Sequence, residues 1–230
     1  MNLLEKEQWI QTAADQLEND SPEAVIRLAV ETYPKLTLAC SFGAEDVVLV
    51  DMLHRISPST DIFYLDTNLH FPETYETRDK LEARYGRSFL QVLPKLTLAE
   101  QAVQHGEELW ASNPNQCCGI RKVDPLTDIL GKYDAWLTGI RRDQAPTRAN
   151  ARKVEYDVKF GLVKFNPLAD WTSERVWHYI RENNLIYNPL HDQNYPSIGC
   201  EKCTKPVLAG QDPRAGRWSG FEKTECGLHK

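Results

Sequence analysis

The residues able to do chemistry in this sequence are mostly cysteines. Cys200 and Cys203 stand at C-x-x-C spacing, Cys117 and Cys118 are adjacent, and Cys226 lies alone near the C-terminal end. In a chain of cytoplasmic character, thiols paired this way serve metal binding or catalysis more often than disulfides. Two ligand chemistries fit the paired thiols. Zinc accepts four thiolates, and C-x-x-C is a familiar half-site for it. An iron–sulfur cluster presents several irons, so neighbours such as Cys117 and Cys118 can ligate different atoms, an arrangement awkward for a zinc ribbon. Cys226 has the position of a nucleophile. A tail thiol can be brought over an electrophile and then presented to a second protein, with activation supplied by basic groups where it docks. Cys40 sits in an apolar run and reads as an inert buried thiol.

A second group is cationic. Arg141, Arg142 and Arg148 follow an expected strand within a short span, and arginine forks suit phosphate and sulfate oxygens. Arg214 and Arg217 lie between Cys203 and Cys226. The turn Ser41-Phe42-Gly43-Ala44-Glu45-Asp46 separates an apolar strand from an apolar helical run. Its backbone N–H groups and the helix N-terminus are suited to hold an anion.

Alternating strands and helices must position these groups. Strands are expected over 36–40, 61–65, 89–93 and 134–138, with helices over 47–56, 72–85 and 97–105. This order predicts an α/β fold with a doubly wound, mostly parallel sheet, whose ligands sit at the carboxyl ends of the strands. Ser41, Gly43, Asp66 and Thr67 fall at such ends. Two packing helices precede this region, the second signalled by Ser21-Pro22-Glu23. A hairpin over 154–165 and a helix over 173–183 follow it. The expected organisation is one domain over 1–218 and a mobile catalytic tail over 219–230.

Composition narrows the partners. With 230 residues the chain can bury one sizeable core. A net charge of −6 argues against nucleic acid as a partner. The charged start, with Glu5, Lys6 and Glu7, does not read as a signal peptide, and no apolar run approaches the roughly 20 residues of a membrane helix. A cytoplasmic location is the expectation.

Taken together these elements resemble the assimilatory adenylyl-sulfate (APS) reductases, the iron–sulfur branch of the APS/PAPS reductase family. The resemblance runs from about Leu36 to the C-terminus. It rests on the 41–46 turn, Leu65-Asp66-Thr67, Phe71-Pro72-Glu73-Thr74, Cys117-Cys118, Gly139-Ile140-Arg141-Arg142, Cys200-x-x-Cys203 and Glu225-Cys226-Gly227-Leu228-His229. It implies an adenine-nucleotide alpha-hydrolase type of fold and the reduction of adenosine phosphosulfate to sulfite and AMP, in sulfate assimilation and cysteine biosynthesis. The implied donor is thioredoxin or a glutaredoxin-like dithiol. The resemblance further implies one 4Fe–4S cluster per subunit, held by Cys117, Cys118, Cys200 and Cys203. Cys226 is then the nucleophile, with Lys122 between cluster and substrate. Arg141, Arg214, Arg217 and His229 are implied around the phosphosulfate, and Ser41, Phe42, Gly43 and Asp66 near the nucleotide. Arg142 and Arg148 join the expected substrate contacts from the arginine group, and a homo-oligomer is the expected state. The nearest alternative is a PAPS reductase, whose substrate carries a further 3′-phosphate. An ATP pyrophosphatase prefers Ser-Gly-Gly-x-Asp-Ser at the turn, where Phe42 and Asp46 make a poor seat for pyrophosphate. A zinc-stabilised binding module is the non-enzymatic reading.

Overall fold

A computed structural model describes residues 3–228. It opens on α1 (Leu3–Leu17) and α2 (Pro22–Thr32). The Ser21 side chain accepts the Ala24 N–H and Pro22 occupies the first turn, where no hydrogen bond is lost, so α2 starts where the sequence signals it. Strands and helices then alternate: β1 (Leu36–Ala39), α3 (Ala44–Ile56), β2 (Asp61–Leu65), α4 (Pro72–Tyr85), β3 (Leu90–Val92) and α5 (Leu98–His105). A left-handed Gly86, φ +60°, ends α4, and a reciprocal Thr97–Glu100 capping box opens α5. Next come α6 (Leu109–Ser112), α7 (Pro114–Cys118), a π turn over Gly119–Val123, and α8 (Asp124–Leu130). The chain continues through β4 (Ala135–Leu137), the hairpin β5 (Val154–Asp157) and β6 (Leu162–Phe165), and α9 (Ser173–Glu182).

The six strands are ordered β3-β2-β1-β4-β6-β5. β1 is parallel to both β2 and β4, β4 is parallel to β6, and β5 is antiparallel to β6. β4 and β6 are buried along their whole length; β4 is wholly apolar, and β6 buries Lys164 against Glu155 at 2.8 Å. The mostly parallel α/β sheet expected from the alternation is therefore present. Strand order reverses between β1 and β4, the kind of point at which α/β sheets collect ligands. The turn after β1 and the loop after β4 both lie at that point.

The chain packs as two compact units, Met1–Phe63 with Leu130–Ile186 and Tyr64–Ile129 with Tyr187–Lys230. The first has a core of Val25, Ile26, Leu38, Val48, Trp136 and Phe165. In the second, Leu81, Phe89, Leu126 and Trp218 are buried. There the Glu201 N–H donates to the Leu69 carbonyl at 2.8 Å, and His70 and Cys200 form a β-bridge. The C-terminal segment is thereby tied to the chain just past β2.

Candidate active site

In the first unit the turn after β1 is tight. Phe42 is buried at a φ of +61°, a left-handed conformation that strains a bulky residue. Asp46 folds back so that Oδ2 accepts both the Ser41 N–H and the Ser41 hydroxyl, each at 2.6 Å. Gly43 caps α3 without a side-chain bond, and Glu45 and Asp46 bring negative charge to its first turn, where the helix dipole favours it. Burial pushes the Asp46 carboxyl up to about 6, against the two Ser41 bonds; Glu45 raises it further and Arg148 opposes.

The expected arginine group is divided. Arg141 is buried and donates to Glu45 from Nε at 2.9 Å and Nη2 at 2.8 Å, and also to Asp143 and the Trp171 carbonyl. Arg142 forms a two-pronged ion pair with Glu18 of α1, at 2.6 and 2.9 Å, and donates to the Ala151 carbonyl. Arg148 donates to Gln144 Oε1 at 2.5 Å and acts electrostatically on Asp46. Arg141 and Arg142 are thus matched to the chain's own carboxylates.

The second unit gathers the thiols. Cys117 and Cys118 end α7, Cys200 caps the short 3-10 turn Glu201–Cys203, and Cys203 ends it. Cys117, Cys118 and Cys200 are buried, and Cys203 is partly so. Burial, then the charges of Cys118, Cys200 and Cys203, pushes the Cys117 thiol up to about 12. Burial, then Cys200 and Cys118, pushes Cys203 up to about 11. Burial likewise raises Cys118, so Cys117, Cys118 and Cys203 all resist ionisation as free thiols. A cationic metal–sulfide core relieves both penalties by taking the thiolates as ligands, so the donor set fits an iron–sulfur cluster. Among the described residues no three His, Cys, Asp or Glu side chains converge on a position for a single metal ion. A multi-iron cluster asks for one thiolate per iron, not four on one ion.

The π turn carries Arg121 and Lys122, its extra residue re-aiming side chains relative to an α-helix. Arg121 is 1% exposed. It donates to Thr67 O at 2.6 Å, Leu96 O at 3.3 Å, Gln101 Oε1 at 3.1 Å and Asn68 Oδ1 at 3.0 Å. All four acceptors are neutral, and the sulfurs of Cys117 and Cys200 act on its charge. A net-negative tetrathiolate cluster would balance that buried cation. Thr67 Oγ1 lies 3.3 Å from Cys200 Sγ. Burial works against the Lys122 ammonium, yet Cys200, Cys226 and Cys118 hold its pKa above the usual lysine value. Asp66 accepts from Tyr75 at 2.7 Å, the Asn68 N–H at 2.9 Å and Gln91 at 2.7 Å. Burial opposes ionisation of Asp66, but these bonds outweigh it and keep the carboxyl below its ordinary value.

The described part of the tail is docked. Glu225 is 3% exposed and pairs with Arg214 at 3.1 Å, and the same Arg214 nitrogen donates to the Thr224 carbonyl at 2.7 Å. Lys223 donates to Asn115 Oδ1 at 2.5 Å and sits 5.2 Å over the Trp218 ring. Arg217 stacks on Trp218 at 4.5 Å and donates to Ser197 at 3.2 Å, while its buried Nε has no hydrogen-bond partner among the described residues. A Cβ at Gly199 would overlap that guanidinium, so a larger residue there would displace Arg217. Cys226 is half-exposed. Two charged side chains just before Cys226, Lys223 and Glu225, therefore pack the described part of the tail against this unit. His229 lies outside the described residues.

The sequence reasoning named the four paired cysteines, Cys226, Lys122, Arg214 and Arg217, all of which fall in this unit. Arg121, Trp218 and Glu225 were given no role there, and Thr67 was placed only at a strand end. Arg121 had a readable signal, standing four residues after Cys117 and thus one helical turn from it. Glu225 had none, because an acidic residue beside an attacking thiol reads as an obstacle until its Arg214 partner is seen.

The mostly parallel α/β sheet and the buried cysteines frame the comparison with known proteins. Comparison with known proteins is specific. The model of the phosphoadenosine phosphosulfate reductase domain matches residues 35–206. The chain is 50% identical to the adenosine 5'-phosphosulfate reductase of Halalkalibacterium halodurans, over 93% of this chain and 94% of that one. It is 49% identical to the phosphoadenosine 5'-phosphosulfate reductase of Gloeobacter violaceus, over 94% and 91%. Among solved structures, the phosphoadenylyl-sulfate reductase of Candida auris superposes with a TM-score of 0.76 at 34% identity, covering 86% of this chain and 96% of that one. The chain belongs to the phosphoadenosine phosphosulfate reductase family.

Proposed function

We propose that this chain reduces adenosine 5'-phosphosulfate to sulfite and AMP in sulfate assimilation, with Cys226 as the nucleophile and a dithiol protein such as thioredoxin as the electron donor. Relatives of that name match nearly the whole chain at about half identity. The observation that carries the chemistry is the half-exposed Cys226 acting electrostatically on the Lys122 ammonium, on a tail clamped by Glu225 and Lys223.

The substrate's sulfur is wrapped in anionic oxygens. A thiolate approaching it meets like charge, costing about 4 kcal/mol at 4 Å in a partly shielded site. Fixed cations offset that cost and stabilise the charge passing to AMP. Lys122 and Arg217, whose Nε has no partner among the described residues, are groups of the second unit suited to this. The Cys226 thiolate attacks the sulfate sulfur. An S–S bond forms, the S–O bond to the phosphate breaks, and AMP leaves with the bonding pair. A donor thiolate then attacks Cys226 Sγ and releases sulfite, and the donor's second thiol resolves the mixed disulfide, so two thiols supply both electrons. Cys117, Cys118, Cys200 and Cys203 would hold a 4Fe–4S cluster, which would cross-link two distant segments and, being net-negative, would hold the Lys122 ammonium in place beside it.

Lys122→Ala is expected to lower turnover roughly 100-fold while iron and acid-labile sulfide stay at wild-type levels. Unchanged turnover would leave the thiol centre a purely structural role. A second reading, phosphoadenosine 5'-phosphosulfate as substrate, is favoured by the names of two of the relatives above. Steady-state kinetics with each nucleotide, on anaerobically purified protein of measured iron content, test the proposal. Faster sulfite release from the substrate lacking the 3′-phosphate supports it, and release from the 3′-phosphorylated one alone overturns it.

A further inference from the structure

The turn after β1 has the make-up of an anion seat, yet it is already filled. It lies at the carboxyl end of β1 beside the reversal in strand order and opens α3, a 13-residue helix whose N-cap Gly43 makes no side-chain bond. Such a turn holds a phosphate through backbone N–H groups and the helix dipole. Here the Ser41 N–H and hydroxyl both end on Asp46 Oδ2, at 2.6 Å. Asp46 is 7% exposed, so its carboxylate is a packed part of the turn. The loop after β4 makes room for it. A Cβ at Gly139 would overlap Asp46 Oδ1 and come within 2.9 Å of the Glu45 Cβ. Glu45 in turn takes the Arg141 guanidinium from two nitrogens, at 2.8 and 2.9 Å. Two internal carboxylates therefore stand where an incoming polyphosphate needs free N–H donors and positive charge.

We infer that Asp46 is a specificity residue that keeps the pyrophosphate moiety of nucleoside triphosphates out of this turn. An adenine-nucleotide site that tolerated a triphosphate tail would be open to competition from ATP. Exclusion by a fixed like charge gives selectivity without a new contact to the correct ligand. The inference rests on the reading that the chain binds an adenine nucleotide; the phosphosulfate of that nucleotide is then met by cations outside this turn.

The test uses the whole protein with its metal content intact, at about pH 8, as wild type, Asp46→Ser and Asp46→Asn. Inorganic pyrophosphate is titrated into each by calorimetry, and ATP and AMP are compared as competitive inhibitors of sulfite formation. Asp46→Ser is expected to bind pyrophosphate about tenfold more tightly than wild type or better. It should lower the ATP inhibition constant by about the same factor, with AMP moving less than about threefold. Asp46→Asn keeps an acceptor for Ser41 without the charge and should show a smaller gain in the same direction. It also carries the test if the serine variant does not fold. Folded variants with no gain in pyrophosphate binding, or with AMP inhibition tightened as much as ATP inhibition, overturn the inference. Pyrophosphate titration needs no turnover. A gain there in a protein that never reduces adenosine phosphosulfate would sink the reductase reading and still support the role of Asp46.

Discussion

Cys226→Ser is expected to reduce sulfite formation by roughly 1,000-fold or more, with iron content and melting temperature unchanged. A serine hydroxyl at neutral pH has almost no anion to offer, and the oxygen ester it would form with a sulfonate cannot be reduced by a thiol. Folding should be untouched because the contacts that hold the tail belong to its neighbours. Glu225 pairs with Arg214, and Lys223 reaches Asn115 and Trp218, all independently of the half-exposed sulfur. Anaerobic sulfite assays beside iron and acid-labile sulfide determination check this. A serine variant turning over within about tenfold of wild type would move the nucleophile elsewhere.

The largest loss of stability is expected from Arg121→Met. The substitution preserves much of the volume but removes a buried guanidinium that serves four neutral acceptors, on Thr67, Leu96, Gln101 and Asn68. Each buried acceptor left without a donor costs about 1–3 kcal/mol, and loss of such a network about 3–5 kcal/mol in all once the site relaxes. The same change removes the fully buried positive charge acting on Cys117 and Cys200, so metal and sulfide content should fall with stability. Arg121→Lys keeps a point charge but loses the fork, and should recover part of the metal content and little of the stability. Urea unfolding with metal analysis reads both. Wild-type iron in a stable Arg121→Met variant would show that the thiols need no such counter-charge.

Much of this arrangement was legible in the sequence, for physical reasons that differ between elements. The sheet was readable because β1, β2 and β4 are short apolar runs separated by helices with explicit start and stop signals, such as the Thr97–Glu100 box and Gly86. The paired cysteines drew attention through their spacing, and Cys117, Cys118 and Cys200 are buried. What was not legible depends on side chains meeting across long separations. The Ser41–Asp46 turn reads as an open anion seat, and only the folded backbone shows Asp46 turned back onto Ser41. Arg142 stands beside Arg141 in a cationic run, and nothing local announces its pairing with Glu18, more than a hundred residues away. The tail reads as mobile from its polar composition, whereas Glu225 is buried against Arg214. The π turn leaves no simple residue signature, yet it carries both Arg121 and Lys122.

Mass spectrometry of the protein mixed anaerobically with adenosine phosphosulfate, in the absence of any thiol donor, tests the covalent step itself. The expected result is the mass of one sulfonate on the peptide containing Cys226, one AMP released per modified chain, and loss of that mass with release of sulfite when a dithiol protein is added. AMP and sulfite released with Cys226 unmodified, or sulfonate carried by another residue, would contradict it.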